Sequence, residues 1–295
     1  MTTPLPTPAL SPAAPAAPAA LDAAALSELR QARALLENPG LAAQLANLVG
    51  APLEYVMEKR LPASMTRLVN ALVRTALRQS LRMAVATLGK DAASSAPRNR
   101  GHTIAAATSG AVGGAFGFAG LAVELPLTTT LILRSIAGIA RAEGEPLDDP
   151  ATMLACFEVL TMGGRASADD GAESGYFAAR AVLAQQVAAA AEYVAVHGLV
   201  GKGGPLIVQL LSAIASRFSV NLGHKVALQA VPVVGAAGGA ALNTLFMRHF
   251  QAMARGHFTI RRLERLHGVD AVRRAYDTVG APDGPGHARV EPRSG

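Results

Sequence analysis

The chain has 295 residues, of which 51% are hydrophobic, 16% charged and 4% aromatic, and its formal net charge is +6. This composition can bury a large core and excludes a globally disordered chain. A basic balance suits an anionic membrane surface or a nucleic acid. Because aromatic side chains are scarce and tryptophan is absent, the stacking platforms of a single-strand binder are missing, and we expect no nucleic-acid partner.

The sequence predicts one domain between two tails. Residues 1–20 are rich in Pro and Ala and lack both a basic start and an unbroken apolar stretch, which predicts a disordered tail rather than a signal peptide. Residues 281–295, rich in Pro and Gly, predict a second disordered tail. Residues 21–280 then form a single helical domain. Its one cysteine, Cys156, excludes an internal disulfide and is typical of a reducing compartment.

Between the tails almost nothing alternates with period two, and the hydrophobic spacing is helical. Capping residues, glycines and prolines divide this region into segments. The predicted helices span residues 22–37, 41–48, 53–59, 63–88, 103–123, 126–142, 150–162, 172–196, 205–218, 220–230, 233–255, 259–267 and 270–279. The predicted fold class is therefore an all-α, multi-helix bundle with glycine-faced helices packed at its centre.

A glycine-rich run occurs twice. Residues 110–115 read Gly-Ala-Val-Gly-Gly-Ala, and residues 235–240 read Gly-Ala-Ala-Gly-Gly-Ala. Each mid-helix glycine costs about 1 kcal/mol relative to alanine, so a glycine stripe needs close approach of a partner helix as compensation. The predicted helix-packing residues are Gly110, Gly113, Gly114, Gly117, Gly235, Gly238 and Gly239. Chance recurrence in a chain rich in Ala and Gly is the alternative.

The first glycine run belongs to a stretch, residues 104–133, whose only formal charge is Glu124. A membrane-spanning helix needs about 20 apolar residues, and residues 104–123 reach that length mainly with small and hydroxylated side chains. Arg134 interrupts the next segment, and polar residues interrupt residues 226–247. We therefore favour peripheral or re-entrant membrane contact, or a buried soluble core, over simple spanning.

One face of the predicted helix 63–88 is basic. Its arginines lie within about 80° of one another, opposite an apolar face, and they are Arg67, Arg74, Arg78 and Arg82. Two interpretations stay open. The face is either the solvated side of a core-packed helix or a surface that lies on anionic lipid. The same alternatives hold for a second basic region, with Arg248, Arg255, Arg261, Arg262 and Arg265.

Motifs of known chemistry are missing from the sequence. None of the seven histidines has a metal-like spacing, and we expect no metal and no cofactor. His249 and His257 can share one helix side, but a surface or satisfied core position is the usual role of such a histidine. The run from Gly198 to Lys202 lacks the spacing and the Ser or Thr of a phosphate loop.

Glu124 is the most informative single residue, because it stands alone among apolar residues. A buried carboxyl has a raised pKa or pairs with a cation. If the chain is an enzyme, its predicted catalytic candidates are Glu124, Arg134 and Lys225, within an apolar pocket. The alternative is that Glu124 caps a helix that begins at Pro126.

Several motifs occur in a fixed order over residues 41–279: Gly113-Gly114-x-x-Gly117, Glu124-Leu125-Pro126, Arg134-Ser135-Ile136, Glu143-Gly144, Gly163-Gly164, Arg217-Phe218, Lys225 and Val231-Pro232, followed by the second glycine run and Asn243. Their order and spacing resemble the EcsC family, which is named for a gene beside a bacterial ABC exporter. The resemblance implies a bacterial, cytoplasmic protein, peripheral to or shallowly inserted in the inner membrane. The resemblance assigns no catalytic role to any residue.

The function that we expect from this resemblance is a non-enzymatic accessory or regulatory protein. Its expected partner is a membrane lipid or a membrane protein such as an ABC transporter. Two alternatives remain open: an enzyme with the polar site around Glu124, or a soluble helical protein that binds an apolar ligand. The sequence does not specify an oligomeric state.

Overall fold

The structure is a computed structural model that describes residues 20–37, 41–49, 62–87, 101, 103–106, 108, 121–162, 175–197, 204–229 and 235–279. These residues form helices and short turns, without a strand among them. The helices are α1 (Ala23–Glu37), α2 (Leu41–Val49), α3 (Ala63–Thr87), α4 (Leu121–Ala142), α5 (Pro150–Glu158) with a 3-10 turn (Val159–Thr161), α6 (Gly175–His197), α7 (Pro205–Gln229), α8 (Gly235–His267) and α9 (Val269–Val279). The predicted all-α bundle is confirmed. Both predicted tails, apart from residue 20, and the predicted helix 53–59 lie outside the described residues.

Local signals set several helix ends as expected. The Asp22 carboxylate accepts a hydrogen bond of 2.7 Å from Ala25 N at the start of α1. Asp149 caps α5 in the same way, through Ala151 N at 3.1 Å, and Pro150 takes the first helical position. Gly144 ends α4 with a φ of 78°, a conformation that glycine adopts without steric cost.

Three helices are longer than predicted. The predicted break at Glu124-Leu125-Pro126 is wrong, because α4 continues through Pro126. The predicted helices 205–218 and 220–230 are one helix, α7, and the predicted helices 233–255 and 259–267 are one helix, α8. In each case buried side chains lie on both sides of the predicted break, such as Leu125 and Thr128 in α4. This tertiary packing outweighs the weak local preference to end the helix.

The long helix α8 lies at the centre of the bundle. It packs against α1, α2, α4, α7 and α9, and its Phe246, Phe250 and Phe258 are fully buried. At Gly256 the approach of α1 is so close that an added Cβ atom would lie 2.8 Å from the Ala32 carbonyl oxygen and 2.6 Å from Leu36 Cγ. Only glycine fits this contact without a shift of α1.

Two buried amides of α8 join it to α4 and to residues 103–106. Asn243 Nδ2 donates to the carbonyl oxygen of Ala106 at 2.9 Å and to Thr128 Oγ1 at 3.3 Å. Gln251 Nε2 donates to Ser135 Oγ at 2.9 Å. These bonds fix the register of α4 on α8, because each amide has its partner at one position of the facing helix.

The glycine-packing prediction lies mostly outside the described residues. Gly110, Gly113, Gly114 and Gly117 are not among them, and neither is the environment of Gly235. In the second run, Gly238 is half-buried and Gly239 is buried at the start of α8. The contact between the two runs stays a prediction.

Helix α3 packs across α4 and α7. Its buried apolar side chains are Val69, Val73, Ala76, Leu77 and Leu81. Ser80 Oγ and Thr130 Oγ1 lie 3.1 Å apart, which adds a hydrogen bond between α3 and α4. Among the helices of the described residues, none combines the length and the apolar character needed to cross a membrane.

Candidate functional site

The charged residues on the outer side of α3 are all basic. Arg67, Arg74 and Arg78 are exposed, while the apolar side of the helix is buried on α4 and α7. No acidic residue occurs anywhere in α3, so the helix offers these arginines no carboxylate partner of its own. The side chain of Arg82 lies outside the described residues.

The two helices beneath α3 continue this charge pattern. In α4, Arg134 and Arg141 are exposed, whereas the only acidic residue, Glu124, is 3% exposed. Helix α7 contains no acidic residue, and its Arg217 is half-buried. We call α3, α4 and α7 the basic layer, because every exposed charge described on these three helices is positive.

The basic layer also exposes large apolar side chains. Leu68 of α3 is 45% exposed and Leu127 of α4 is 47% exposed. The further exposed members on α7 are Leu206, Val208 and Val220. Basic and apolar side chains exposed together are the composition that a lipid–water interface attracts.

Two of the three predicted catalytic candidates, Glu124 and Arg134, are not brought together by the fold. Glu124 and Arg134 lie in one helix, ten residues apart, which separates their Cα atoms by about 15 Å along its axis. Glu124 is buried and Arg134 is exposed. Lys225 belongs to α7, but its side chain lies outside the described residues. The predicted helix cap at Glu124 is wrong, because this residue lies inside α4 and no helix begins at Pro126.

A second charged region surrounds the end of α8, where acids and bases are paired. It is formed by α5, α6, α8 and the turn after α4. We call it the ion-pair cluster, and its members are Glu145, Glu158, Tyr176, Arg180, His257, Arg261, Glu264 and Arg265.

Glu145 is the best-paired acid of this cluster. Arg261 donates to its two oxygens at 2.8 and 3.1 Å, and Arg265 and Thr152 donate as well. Burial by itself raises the pKa of the Glu145 carboxyl, but the hydrogen bond and the charge of Arg261, with those of Arg265, outweigh it and lower the pKa below its ordinary value. The turn at Gly144 thus places the charged carboxylate of Glu145 against Arg261 and Arg265 of α8.

Arg180 connects α6 to α8. Its two terminal nitrogens donate to the two oxygens of Glu264 at 2.7 and 2.8 Å, a bidentate pair. The Arg180 guanidinium also lies 3.5 Å from the Tyr176 hydroxyl, and that hydroxyl lies 3.0 Å from Nδ1 of the buried His257. This network fixes four side chains of two helices relative to one another.

Glu158 lies beside this network, at the end of α5, and is 5% exposed. Burial raises the pKa of Glu158 to about 7, although the charges of Arg180 and Arg261 act in the opposite direction. Burial lowers the pKa of His257 well below its ordinary value, and Arg180 and Arg261 add to this effect. At neutral pH His257 is therefore uncharged, whereas Glu158 is close to its midpoint.

Sequence reasoning missed the ion-pair cluster. The sequence predicts a solvated or lipid-facing surface for Arg261, Arg262 and Arg265. In the structure, Arg261 and Arg265 are bonded to Glu145, and Arg262 is bonded to Glu28 and Glu143. The sequence feature that could have indicated the cluster is the spacing of His257, Arg261 and Arg265, which are four residues apart on one helix side.

A shallow depression of about 200 Å³ beside Arg261, Glu264, Arg265 and Val269 opens to solvent. Within the described ranges, no three His, Cys, Asp or Glu side chains are grouped to hold a metal.

The basic layer and the ion-pair cluster together define the class: an all-helical protein whose described residues include one layer with only basic exposed charges and one ion-paired end. The particular family follows from comparison with known proteins. The model of the EcsC protein family matches residues 23–263, and the chain belongs to this family. The resemblance inferred from the sequence motifs is confirmed. Searches of curated proteins and of solved structures gave no match.

Proposed function

We propose that this protein is a non-enzymatic accessory or regulatory protein that binds the inner face of the bacterial membrane through its basic layer. The observation that carries the proposal is the sign of the exposed charges. On α3, α4 and α7 all described exposed charges are positive, and the only acidic residue of these helices, Glu124, is buried. An anionic lipid surface is the complementary partner of such a layer.

The expected affinity is modest. Each basic residue near an anionic surface contributes about 1 kcal/mol, so Arg67, Arg74 and Arg78 together contribute about 3 kcal/mol. The exposed side chains of Leu68 and Leu127 add shallow apolar contact, at about 25 cal/mol for each Å² removed from water. Attachment of this kind is peripheral and reversible, and it weakens as salt screens the charges.

A membrane protein such as an ABC transporter is the proposed neighbour on that surface. This part of the proposal is supported by family membership and by the family name. A pull-down with the purified protein on membranes, followed by mass spectrometry, identifies the neighbour. The lipid-binding part of the proposal stands independently of that result.

The direct test is flotation with vesicles that contain about one-third anionic phospholipid, compared with purely zwitterionic vesicles. The variant carries Arg67→Gln, Arg74→Gln and Arg78→Gln together. We expect the wild-type protein to float with anionic vesicles at low salt and to be released at high salt. The triple variant is expected to bind about 100-fold more weakly, as a loss of about 3 kcal/mol implies.

The matched control carries Arg248→Gln, Arg255→Gln and Arg274→Gln, three exposed arginines outside the basic layer. It lowers the net charge by the same amount, so it separates a local docking surface from a general effect of charge. Equal loss in both triple variants contradicts a dock at α3. Wild-type protein that stays unbound on anionic vesicles at low salt contradicts the membrane function itself.

A further inference from the structure

One end of the α6–α7 helix pair exposes large apolar side chains to solvent. Helices α6 and α7 pack against each other, and α6 ends at His197 while α7 begins at Pro205. Val196, in the last turn of α6, is 72% exposed, the largest value of any large apolar side chain that the structure describes. In the first turn of α7, Leu206 and Val208 are also exposed. We call the following residues the hairpin tip: Tyr193, Val196, His197, Gly204, Leu206 and Val208.

An aromatic contact holds the two helices together at the hairpin tip. A Cβ atom added at Gly204 would clash with the Tyr193 ring, so the absence of a side chain at Gly204 leaves the space that this ring fills. The Tyr193 ring also stacks on His197, with 4.5 Å between the ring centroids and 18° between the ring planes. His197 Nδ1 lies 3.2 Å from the carbonyl oxygen of Tyr193. The exposed aliphatic side chains of both helices therefore project from a packed aromatic pair.

The charges around the hairpin tip favour an anionic partner. The sequence contains no acidic residue from Tyr193 to Leu263, and α7 belongs to the basic layer. Glu192, an exposed acid of α6, lies one turn before Val196 on nearly the same side of the helix. Because a carboxylate is costly to bury in lipid, Glu192 limits any lipid contact of α6 to its last turn. Two copies of the chain that met at this tip would bring two basic layers together, and like charges oppose that contact.

We propose that the hairpin tip inserts shallowly into the anionic membrane that the basic layer binds. This inference rests on the proposed function and adds the part of the chain that enters the lipid. Aliphatic side chains such as Val196 and Leu206 gain free energy when they leave water. Tyrosine, with an apolar ring and a polar hydroxyl, is enriched at the depth of the headgroups. Helix α7 joins the two surfaces, because it begins at the tip and packs on α3. Insertion by about 5–10 Å is typical of such interfacial contacts.

A fluorescent label tests the insertion directly, because Cys156 is the only cysteine of the sequence and is buried. Val196→Cys and Val182→Cys each add one exposed thiol for acrylodan, a dye whose emission moves to shorter wavelength in an apolar environment. Val182 is the matched control, since it is 59% exposed and lies on the same side of α6, about 21 Å from Val196 along the helix axis. On anionic vesicles we expect the shift at position 196 and none at position 182.

Flotation of the same labelled samples separates this inference from the proposed function. Protein that floats without a shift at position 196, or with an equal shift at position 182, overturns the insertion and leaves the basic layer as the docking surface. Protein that stays unbound on anionic vesicles at low salt overturns both. A shift at position 196 that appears without vesicles and grows with protein concentration shows contact with a second copy, and it also overturns the insertion.

Unlabelled variants measure the size of the effect. Val196→Gln is expected to bind anionic vesicles about five-fold more weakly than the wild-type protein, a factor that corresponds to about 1 kcal/mol. Val182→Gln is expected to bind like the wild-type protein, and both variants fold because their positions are exposed. Equal affinities of the two variants overturn the insertion of the hairpin tip.

Discussion

The basic layer and the ion-pair cluster use the same residue, arginine, in opposite ways. In the cluster each guanidinium has a carboxylate within hydrogen-bond distance, as Arg180 has in Glu264 and Arg261 in Glu145. In the basic layer Arg67, Arg74 and Arg78 are exposed on a helix without an acid. The difference teaches that arginines of the cluster hold helices together, while those of α3 have no carboxylate partner among the described residues.

Removal of one cluster arginine is expected to have the largest effect on stability. Arg180→Ala leaves Glu264, whose side chain is 6% exposed, as a buried charge without its guanidinium. Loss of one partner of a buried pair costs about 3–5 kcal/mol. Urea denaturation of the variant measures this loss, and Arg74→Ala in α3 is expected to change the free energy of unfolding by less than about 0.5 kcal/mol.

A double variant separates the pair from the packing around it. Arg180→Met combined with Glu264→Met removes both charges and keeps apolar volume, so it is expected to be more stable than Arg180→Ala. Equal losses for Arg180→Ala and Arg74→Ala contradict the distinction between the two regions.

The next effect is the pH dependence of stability that Glu158 contributes. Its pKa in the folded protein is about 7, above the ordinary value of 4.5, so folding favours the protonated form. This contribution is fully present below about pH 4.5 and is lost as the pH rises through 7, which amounts to about 3 kcal/mol. We expect the stability of the wild-type protein relative to Glu158→Gln to fall by that amount between pH 4.5 and pH 8, as measured by urea denaturation.

Glu192→Gln controls for the removal of one acid at an exposed position of α6. Its stability difference from the wild-type protein is expected to stay nearly constant over the same pH range, because Glu192 is exposed. A constant difference for Glu158→Gln as well contradicts the raised pKa of Glu158.

Local signals in the sequence predicted the parts of the fold that depend on neighbours in the chain. Asp22, Asp149 and Gly144 mark helix ends because their side chains or φ angles act within a few residues. The exposed arginine row of α3 was equally predictable, since helical spacing alone places Arg67, Arg74 and Arg78 on one side.

The ion-pair cluster could not be predicted in this way, because its partners are distant in sequence. Arg180 and Glu264 are 84 residues apart, and Arg261 and Glu145 are 116 residues apart. Only the packing of α6 and of the turn after α4 on α8 brings them together. The predicted break at Pro126 is wrong for a related reason. The buried side chains of α4 pack on α8 and keep the helix continuous, and local helix propensity does not predict this packing.

Gly256 offers a smaller test, at the contact of α1 with α8. In Gly256→Ala the added Cβ meets the carbonyl oxygen of Ala32 at 2.8 Å, so α1 must shift, at a cost of about 1–3 kcal/mol. Gly101 is the control, since nothing lies within 4 Å of a Cβ there, and Gly101→Ala in helical backbone is expected to stabilise by up to about 1 kcal/mol. Thermal unfolding is expected to show a lower melting temperature for Gly256→Ala and an unchanged or higher one for Gly101→Ala. An unchanged or higher melting temperature in Gly256→Ala contradicts the close contact.

The smallest effect, and the one that links stability to function, concerns Arg78. Arg74 and Arg78 are four residues apart on the exposed side of α3, where like charges destabilise a helix by about 0.2–0.5 kcal/mol. Arg78→Gln is therefore expected to raise the free energy of unfolding by a few tenths of a kcal/mol at low salt, and less at high salt. In vesicle flotation the same variant is expected to bind about five-fold more weakly, from the loss of about 1 kcal/mol. An arginine that lowers stability yet strengthens lipid binding belongs to a docking surface; a variant that loses stability and keeps its lipid affinity shows instead that Arg78 supports the fold.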